Sequence, residues 1–236
     1  MAARTRAKRA KRGRPARQPV PGVDPRQHLL DYAEALFADH GPHGVTVREV
    51  ARRARVDPAL VHYYFGTKTA LFEAVFTRRA EVLNAERLRS MDAYARRAGE
   101  HISVEGAVEA FLEPILRRSV EGDPGWKNYF RLVALVNNTP EWGGEMMTRY
   151  FDPVIRRLLD ILRRCMPEAR DVDLFWCYHF LSGALTLSLS QTGRIDRLSG
   201  GACDSADMEA LHRRMIPFIA AGFRRVCQPQ GEAHVA

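Results

Sequence analysis

The sequence predicts an all-helical protein in which a small N-terminal helix-turn-helix domain precedes a larger helical domain, with about nine helices in all. Three observations predict this fold class. Apolar residues recur at the three- and four-residue spacing of amphipathic helices from residue 24 to residue 226. No stretch shows the strict alternation of apolar and polar residues typical of a half-buried strand. Cap signals such as Asp24-Pro25 and Asp57-Pro58 mark where helices begin.

Positive charge is concentrated at the start of the chain. Residues 1–23 contain eight Lys and Arg residues and no Asp or Glu. The whole chain has 36 basic and 28 acidic residues, so residues 24–236 are balanced and the net charge of +8 belongs to this basic arm. A field so concentrated favours association with a polyanion.

The first two helices have recognisable ends. The first begins at Asp24, and its apolar stripe continues until Gly41-Pro42 interrupts it, because proline cannot continue the hydrogen-bond ladder. The second begins at Thr46. Glu49 follows three residues later, which is the pattern of a capping box, in which each side chain satisfies a backbone N–H of the other residue.

A short third helix and a long fourth helix follow. The third begins at Asp57, only a residue or two after the second must end, and Gly66 stops it. Two helices joined by so brief a turn meet at a steep angle, which predicts a helix-turn-helix. Thr67 then caps a helix that begins at Lys68 and is long enough to enter the next domain.

The remainder of the chain keeps a helical periodicity. The predicted helices there are 103–120, 125–138, 140–166, 170–193 and 205–226. The expected division is a disordered basic arm at 1–23, a helix-turn-helix DNA-binding domain at 24–70, a helical regulatory and dimerisation domain at 71–228 and a flexible tail at 229–236.

Composition argues against several other classes of protein. No window reaches the ~18 uninterrupted apolar residues of a membrane span, and the basic arm leads into Pro and Gly rather than an apolar signal sequence, so we expect a cytoplasmic protein with no membrane partner. The four cysteines form no C-x-x-C pair and are expected to be reduced, mostly buried thiols. No cofactor and no metal ion are expected.

The segment "VTVREVARRARVDPALVHYYFGTKTALFEAVF", residues 45–76, is similar to the DNA-binding domain of the tetracycline-repressor (TetR) family. The features that match are the capped second helix, the short turn, the aromatic-rich third helix ending in Phe65, and Lys68 at the start of the next helix. The resemblance implies a homodimeric transcription regulator bound to a double-stranded, palindromic DNA operator. It also implies that a small molecule held in the second domain moves the fourth helix and releases the DNA.

The resemblance also implies which residues contact DNA. It places residues of the third helix near base edges in the major groove, which is about 12 Å wide, and others on phosphates. Val61 and Phe65 are expected in the core instead, because so short a helix must bury one side. The predicted DNA-binding residues are Thr46, Arg48, Pro58, Ala59, His62, Tyr63, Tyr64, Thr67 and Lys68, with Arg12 and Arg14 of the arm.

The chain departs from the family pattern in two ways. Arg55 stands in the turn where the family usually has glycine, so either this residue adopts a left-handed conformation at a cost of about 1 kcal/mol or the turn changes shape. The third helix also lacks the Lys or Arg that reads guanine with two hydrogen bonds, which favours readout of thymine methyl groups and DNA shape.

The second domain is predicted to hold a pocket and a dimer interface. Flexible methionines and large aromatic rings suit an adaptable apolar cavity, and small residues let two helices approach closely, although ordinary core packing explains the same patterns. The predicted pocket residues are Phe111, Ile115, Phe130, Trp142, Met146, Met147, Tyr150, Phe151 and His179. The predicted dimer residues are Trp176, Phe180, Gly183, Ala184, Leu187 and Phe218. The expected effector is a hydrophobic small molecule, with acyl and lipid-like compounds among the candidates.

Two functions other than that of a ligand-responsive repressor are alternatives. An architectural protein that coats DNA without sequence preference would also explain the basic arm. A helical enzyme is disfavoured because no nucleophile elbow, metalloprotease motif or phosphate-binding glycine loop occurs in the sequence, and no catalytic residue is predicted.

Arg12-Gly13-Arg14-Pro15 in the basic arm matches the core of an AT-hook, in which two arginines flank a glycine so that the backbone lies in a narrow minor groove. A solvated tail is the alternative. If the arm enters the groove, exchanging both Arg12 and Arg14 for Ala will weaken operator binding and reduce its salt dependence, since fewer counterions are released. A binding titration at several salt concentrations measures both, and unchanged affinity and salt slope would identify the arm as a tail.

Overall fold

The computed structural model describes residues 24–140 and 142–228. Within these residues the chain forms ten α-helices and no strand, which confirms the all-helical fold. The helices are α1 (Pro25–Gly44), α2 (Val47–Ala54), α3 (Pro58–Phe65), α4 (Lys68–Ala98), α5 (Val104–Glu121), α6 (Pro124–Asn137), α7 (Gly143–Cys165), α8 (Asp171–Leu189), α9 (Arg194–Leu198) and α10 (Met208–Cys227). Only α9 was not predicted, since five residues are too few to show a periodic stripe.

The cap residues read from the sequence begin the first four helices. The side chains of Asp24, Thr46, Asp57 and Thr67 each accept a hydrogen bond from a backbone N–H in the first turn, at 2.8 to 3.1 Å. These bonds satisfy donors that would otherwise lack a partner within the helix. The helix starts around the helix-turn-helix are therefore confirmed.

Two local expectations need correction. Gly41, with φ of 67°, breaks the ladder of α1, but one more helical turn follows it, beginning at Pro42. The capping box at the start of α2 is only half formed, because the Glu49 carboxylate accepts from the Arg52 guanidinium, with Nε–Oε2 at 2.9 Å, instead of turning back to the backbone of Thr46. An arginine one turn away is a stronger partner for a carboxylate than a backbone amide.

The turn between α2 and α3 keeps the geometry of a glycine turn without glycine. Arg55 adopts the left-handed conformation, with φ of 58° and ψ of 36°. Its N–H donates to the carbonyl of Arg52 at 3.3 Å, and the N–H of Val56 donates to the carbonyl of Ala51 at 3.0 Å. This pair of bonds is the Schellman motif that ends many helices. Arg55 thus accepts the backbone strain, and the relation between α2 and α3 is preserved.

Helix α4 connects the two halves of the molecule. We call α1–α3 the head and α5–α10 the regulatory half. Over its 31 residues α4 packs against α1 and α3 near its start and against α5 and α7 further along. One side of α4 is apolar and buried, and its residues are Leu71, Phe72, Val75, Phe76, Ala80 and Leu83.

A network of ion pairs joins the head, α4 and α6. Glu34 of α1 is 2% exposed and accepts from two consecutive arginines of α4: Arg78 Nη2 at 2.8 Å and Arg79 Nε at 2.7 Å. Arg79 also donates to Asp123, the cap residue of α6, with Nη2–Oδ1 at 2.8 Å. The Arg79 hydrogen bond lowers the pKa of the Asp123 carboxyl. We call these four residues the junction network.

Helices α8 and α10 pack together in the regulatory half. Two of the four cysteines meet there: the Sγ atoms of Cys177 and Cys227 are 4.0 Å apart, and both residues are buried. Burial raises the pKa of both thiols, to about 12 for Cys227, which disfavours the reactive thiolate. Cys165 is half-buried and Cys203 is exposed, so burial is less general than the sequence predicts.

No helix in the described part of the chain is both long enough and apolar enough to span a membrane.

The strain at Arg55 can be tested by replacement. Arg55→Gly is expected to raise the free energy of unfolding by about 1 kcal/mol, because glycine adopts positive φ without the steric cost borne by other residues. Urea denaturation measures the change. The matched control is Arg53→Gly, at an exposed interior position of the same helix, where glycine is expected to lower stability by ~1 kcal/mol. A loss of stability in Arg55→Gly would contradict this account.

Candidate nucleic-acid interface

Helix α3 has one buried face and one exposed face. Val61 and Phe65 are buried in the core, as predicted. Tyr63, on the other side, is 80% exposed, the highest exposure of any large apolar side chain among the described residues. Pro58 and Ala59 are exposed on the first turn. A short helix with an aromatic side chain projecting fully into solvent is suited to enter a groove.

The two tyrosines of α3 occupy different environments. Tyr64 is half-buried and packs against the core. Its ring meets that of Tyr63 edge to face, with centroids 5.2 Å apart. Tyr64 therefore supports the ring of Tyr63 from the side, while the Tyr63 hydroxyl remains open to a partner.

His62 has a defined tautomer when neutral. Its Nδ1 lies 2.9 Å from the carbonyl oxygen of Gly66 at the end of α3. A carbonyl oxygen only accepts, so Nδ1 carries the hydrogen and Nε2 of the neutral ring is an acceptor. The exposed His62 side chain thus offers an acceptor to donors such as adenine N6 or cytosine N4 in the major groove.

The arginines of α2 differ in how far they are neutralised. Glu49 pairs with Arg52 and, more distantly, with Arg53 at 3.4 Å. The Arg52 hydrogen bond lowers the pKa of the Glu49 carboxyl, so this carboxylate stays charged. Arg48 is exposed and has no ion-pair partner among the described residues. It is the α2 arginine whose charge is most available to a phosphate.

The remaining predicted contacts lie at helix starts. Thr46 and Thr67 are exposed, and each caps the helix that follows it. The Lys68 ammonium donates to the backbone carbonyl of Val45 at 3.1 Å, which fixes the segment before α2 against the start of α4. Because an ammonium has three donors, this bond leaves capacity for a phosphate. Arg12 and Arg14 lie outside the described residues.

A narrow cavity of about 40 Å³ lies between α4 and helices α5, α6, α7 and α8 of the regulatory half. It has room for about four water molecules at most, since one needs ~10–15 Å³. Five of the nine predicted pocket residues line it: Phe111, Ile115, Phe130, Met147 and Phe151.

The other four predicted pocket residues lie elsewhere. Trp142 packs edge to face on Phe72 of α4, with ring centroids 5.4 Å apart. Met146 packs against the core outside the cavity. Tyr150 donates its hydroxyl to a carboxylate of α4 at 2.8 Å, and His179 is exposed on α8. Each of these side chains projects from a different face of its helix than the cavity requires.

Polar residues at the cavity were missed by the sequence reasoning. Arg87 of α4 and Tyr129 of α6 line it and are almost completely buried, and Tyr178 of α8 lines it as well. A signal for Arg87 was present, because it lies four residues after Leu83 and four before Met91, in register with the apolar stripe of α4. A charged residue in an apolar stripe indicates a special environment.

The outer face of α8 and α10 is apolar. Trp176, Phe180 and Leu187 of α8 are exposed to 55%, 59% and 67%, and Phe218 of α10 to 71%. The rings of Trp176 and Phe180 stack with centroids 5.8 Å apart. Gly183 is exposed and Ala184 is half-buried, and both lie between Phe180 and Leu187 on α8. The structure thus brings all six predicted dimer residues to one helix pair.

Two family descriptions match the chain, and together they cover about two thirds of it. Residues 29–75 match "Bacterial regulatory proteins, tetR family", and residues 109–222 match "Tetracyclin repressor-like, C-terminal domain". The first match spans α2, α3 and the turn between them, and the second spans the regulatory helices.

Curated relatives and solved structures agree with this. The chain is 38% identical over 79 residues to the HTH-type transcriptional regulator BetI of Rhizobium meliloti (strain 1021), covering 33% of this chain and 39% of that one. It is 37% identical over 62 residues to the HTH-type transcriptional repressor Rv3405c of Mycobacterium tuberculosis (strain ATCC 25618 / H37Rv), covering 25% of this chain and 33% of the relative. These matches therefore span less than half of either relative.

The fold itself resembles that of HlyIIR, a hemolysin II transcriptional regulator, with a TM-score of 0.57 and 17% identity over 82% of this chain and 96% of the other. The helix-turn-helix and the helices that follow it both match family descriptions of the same family of regulators. The chain belongs to the TetR family of bacterial transcription regulators, which are DNA-binding proteins and not enzymes.

Proposed function

We propose that the protein is a homodimeric repressor that binds a palindromic operator through α3 of each protomer and leaves it when a hydrophobic small molecule binds. The observation that carries this proposal is the 80% exposure of Tyr63 on a helix whose opposite face is buried. A cytoplasmic location accompanies this role as a prediction.

Base contacts in this proposal come from three residues of α3. The Tyr63 hydroxyl donates to or accepts from base edges, and the His62 Nε2 atom accepts from a base amino group. Ala59, at the exposed start of the helix, approaches a thymine methyl group. None of these groups reads guanine with two hydrogen bonds, so we expect an operator core rich in A·T pairs. Pro58 packs beside them at the groove.

Phosphate contacts position the head. Arg48 is unpaired within the described chain, and Lys68 retains donors after binding Val45. Thr46 and Thr67 lie at helix starts, where exposed N–H groups attract phosphate. Together with the half-buried Tyr64, these residues would bind the backbone on both sides of the groove without reading sequence.

The dimer in this proposal forms through the apolar face of α8 and α10. Three aromatic rings and a leucine exposed on one helix pair are unusual for a monomer, and covering them with the same face of a second copy removes them from water. Apolar area buried in this way contributes about 25 cal/mol per Å². Gly183 and Ala184 allow the two copies of α8 to approach closely.

Release follows from the position of α4. The helix lines the cavity at Leu83 and Arg87 and begins at Lys68 beside the helix-turn-helix. A ligand that prefers a wider cavity shifts the position of α4, and by linkage the DNA-bound form then binds that ligand less tightly.

Replacement of Tyr63 tests the base contact. Tyr63→Phe keeps the ring and removes the hydroxyl, at a cost of about 1 kcal/mol per protomer, so operator affinity should fall about thirtyfold for the dimer with an unchanged salt slope. Arg48→Met should reduce the salt slope by ~2, one for each protomer. Titration of a labelled operator, chosen by selection from random DNA, measures both. The controls are Tyr94→Phe, near the C-terminal end of α4, and Lys127→Met, on α6.

Equal affinity of the wild-type protein for every DNA sequence would contradict the proposal and favour an architectural DNA binder, whatever the variants do.

Replacement of Phe180 tests the dimer. Phe180→Asp places a charge in the centre of the proposed interface, where desolvating it is costly, so the protein should become monomeric at micromolar concentration. Analytical ultracentrifugation measures the mass. Val120→Asp on α5, whose exposure of 58% is close to that of Phe180, is the matched control and should remain dimeric. Retention of the dimer in Phe180→Asp would exclude this face as the interface.

A further inference from the structure

The cavity beside α4 contains a buried positive charge that has no counter-ion within the described part of the chain. Arg87 is 3% exposed. Its guanidinium carbon lies 3.8 Å from the centre of the Phe111 ring, and Nη1 donates to Asn84 Oδ1 at 3.3 Å. Nε has no hydrogen-bond partner among the described residues. Burial lowers the pKa of Arg87 to about 10, so the side chain is still charged at neutral pH.

Neighbouring arginines, in contrast to Arg87, have carboxylate partners. Arg79 on the same helix pairs with Glu34 and Asp123, and Arg157 of α7 pairs with Asp92 at 2.7 Å. No carboxylate within the described part of the chain pairs with Arg87. Buried charges in proteins are normally paired or bound to a ligand, because an uncompensated charge is strongly destabilising in a medium of low polarity.

The other polar groups at the cavity are hydrogen-bond donors. The hydroxyl of Tyr129 is buried and has no hydrogen-bond partner in the described residues. The ring of Tyr129 packs against other aromatic rings: those of Phe76, Trp126 and Phe130. Burial raises the pKa of Tyr129 and of Tyr178, so both hydroxyls keep their hydrogens. Both lie close enough to Arg87 to interact with its charge. These donors line the cavity together with Ser182 and Thr186, and the other residues that line it are apolar.

We propose that the cavity binds an apolar carboxylic acid in its ionised form, with the carboxylate paired to Arg87 and accepting from the Tyr129 hydroxyl. This inference rests on the proposed function, because it names the chemical class of the effector. Among the described residues, Arg87 is the only ionised one that lines the cavity, so a single negative charge neutralises it, whereas a phosphate dianion would leave an excess charge. Phe111, Ile115, Phe130 and Phe151 would surround the apolar body.

The size of the cavity gives this ligand a mechanical consequence. A volume of about 40 Å³ is too small for an apolar acid of more than a few atoms, so the side chains or helices that line the cavity must move when it binds. Charge pairing at Arg87 acts directly on α4, the helix that continues to the head. The anion therefore favours the wider arrangement of the cavity, which is the requirement for release of DNA.

Calorimetry with matched pairs of probes tests the proposal on the full chain without DNA. The probes are decanoate with 1-decanol and 2-naphthoate with 2-naphthalenemethanol, in which the members of a pair differ mainly in charge. The wild-type protein should bind at least one carboxylate about tenfold or more tightly than its alcohol. Arg87→Met should remove that preference and leave the affinity for the alcohol nearly unchanged. If neither carboxylate binds better than its alcohol, the proposal is overturned.

Two further variants distinguish loss of the anion site from loss of the folded structure. Tyr129→Phe removes one hydroxyl and should weaken carboxylate binding about threefold to tenfold, with alcohol binding unchanged. Arg157→Met, a half-buried arginine that already has its own partner, is the matched control and should bind as the wild type does. Loss of the carboxylate preference in Arg157→Met, its retention in a folded Arg87→Met protein, or an unchanged carboxylate affinity in a folded Tyr129→Phe protein would contradict the assignment.

Release of labelled operator by the same probes separates this inference from the proposed function. Carboxylate binding through Arg87 without release of DNA would support the anion site and contradict its role as the effector site. Release by the alcohols alone would overturn the anion site and leave a ligand-responsive repressor.

Discussion

The buried carboxylate of Glu34 is the constraint on which the arrangement of the molecule depends. Taking this group out of water is unfavourable unless strong donors replace the solvent, and Arg78 and Arg79 of α4 do so. Arg79 continues to Asp123 at the start of α6. Removing one partner from a buried pair costs about 3–5 kcal/mol, so the head stays fixed to the first half of α4. Helix α1 also packs directly against α6, so this attachment is one of the routes from the cavity to the head.

Much of the fold and part of the candidate site could be predicted from the sequence because they depend on neighbouring residues. A cap such as Asp57 followed by proline fixes a helix start within one turn, and a stripe of apolar residues fixes the buried face. The contrast between Val61 in the core and Tyr63 in solvent follows from helical spacing alone. The left-handed conformation of Arg55 is one of the two alternatives that the sequence left open, and the structure selects it.

Features that depend on distant parts of the chain could not be predicted. Nothing local indicates that Lys68 binds the carbonyl of Val45, that Arg79 finds Asp123 44 residues away, or that Cys177 and Cys227 meet. The cavity lining is of the same kind: Trp142 and Tyr150 have the residue types of a pocket, but helix packing turns them toward α4 instead. Arg87 differs from these residues, because the feature that the sequence could not predict is the absence of an ion-pair partner in the described part of the chain.

The junction network also holds α4 at Arg79, a point between the cavity and the head, and this point can act as a pivot for the helix. Arg79 lies eight residues from Arg87 and eleven from Lys68, which at a rise of about 1.5 Å per residue makes the segments on the two sides of the pivot about 12 Å and about 16 Å long. If the helix turns as a rigid rod about this point, a displacement at the cavity appears at the start of α4 in the opposite direction and about one third larger. The position of one salt-bridged residue along the helix would then set both the direction and the gain of the response.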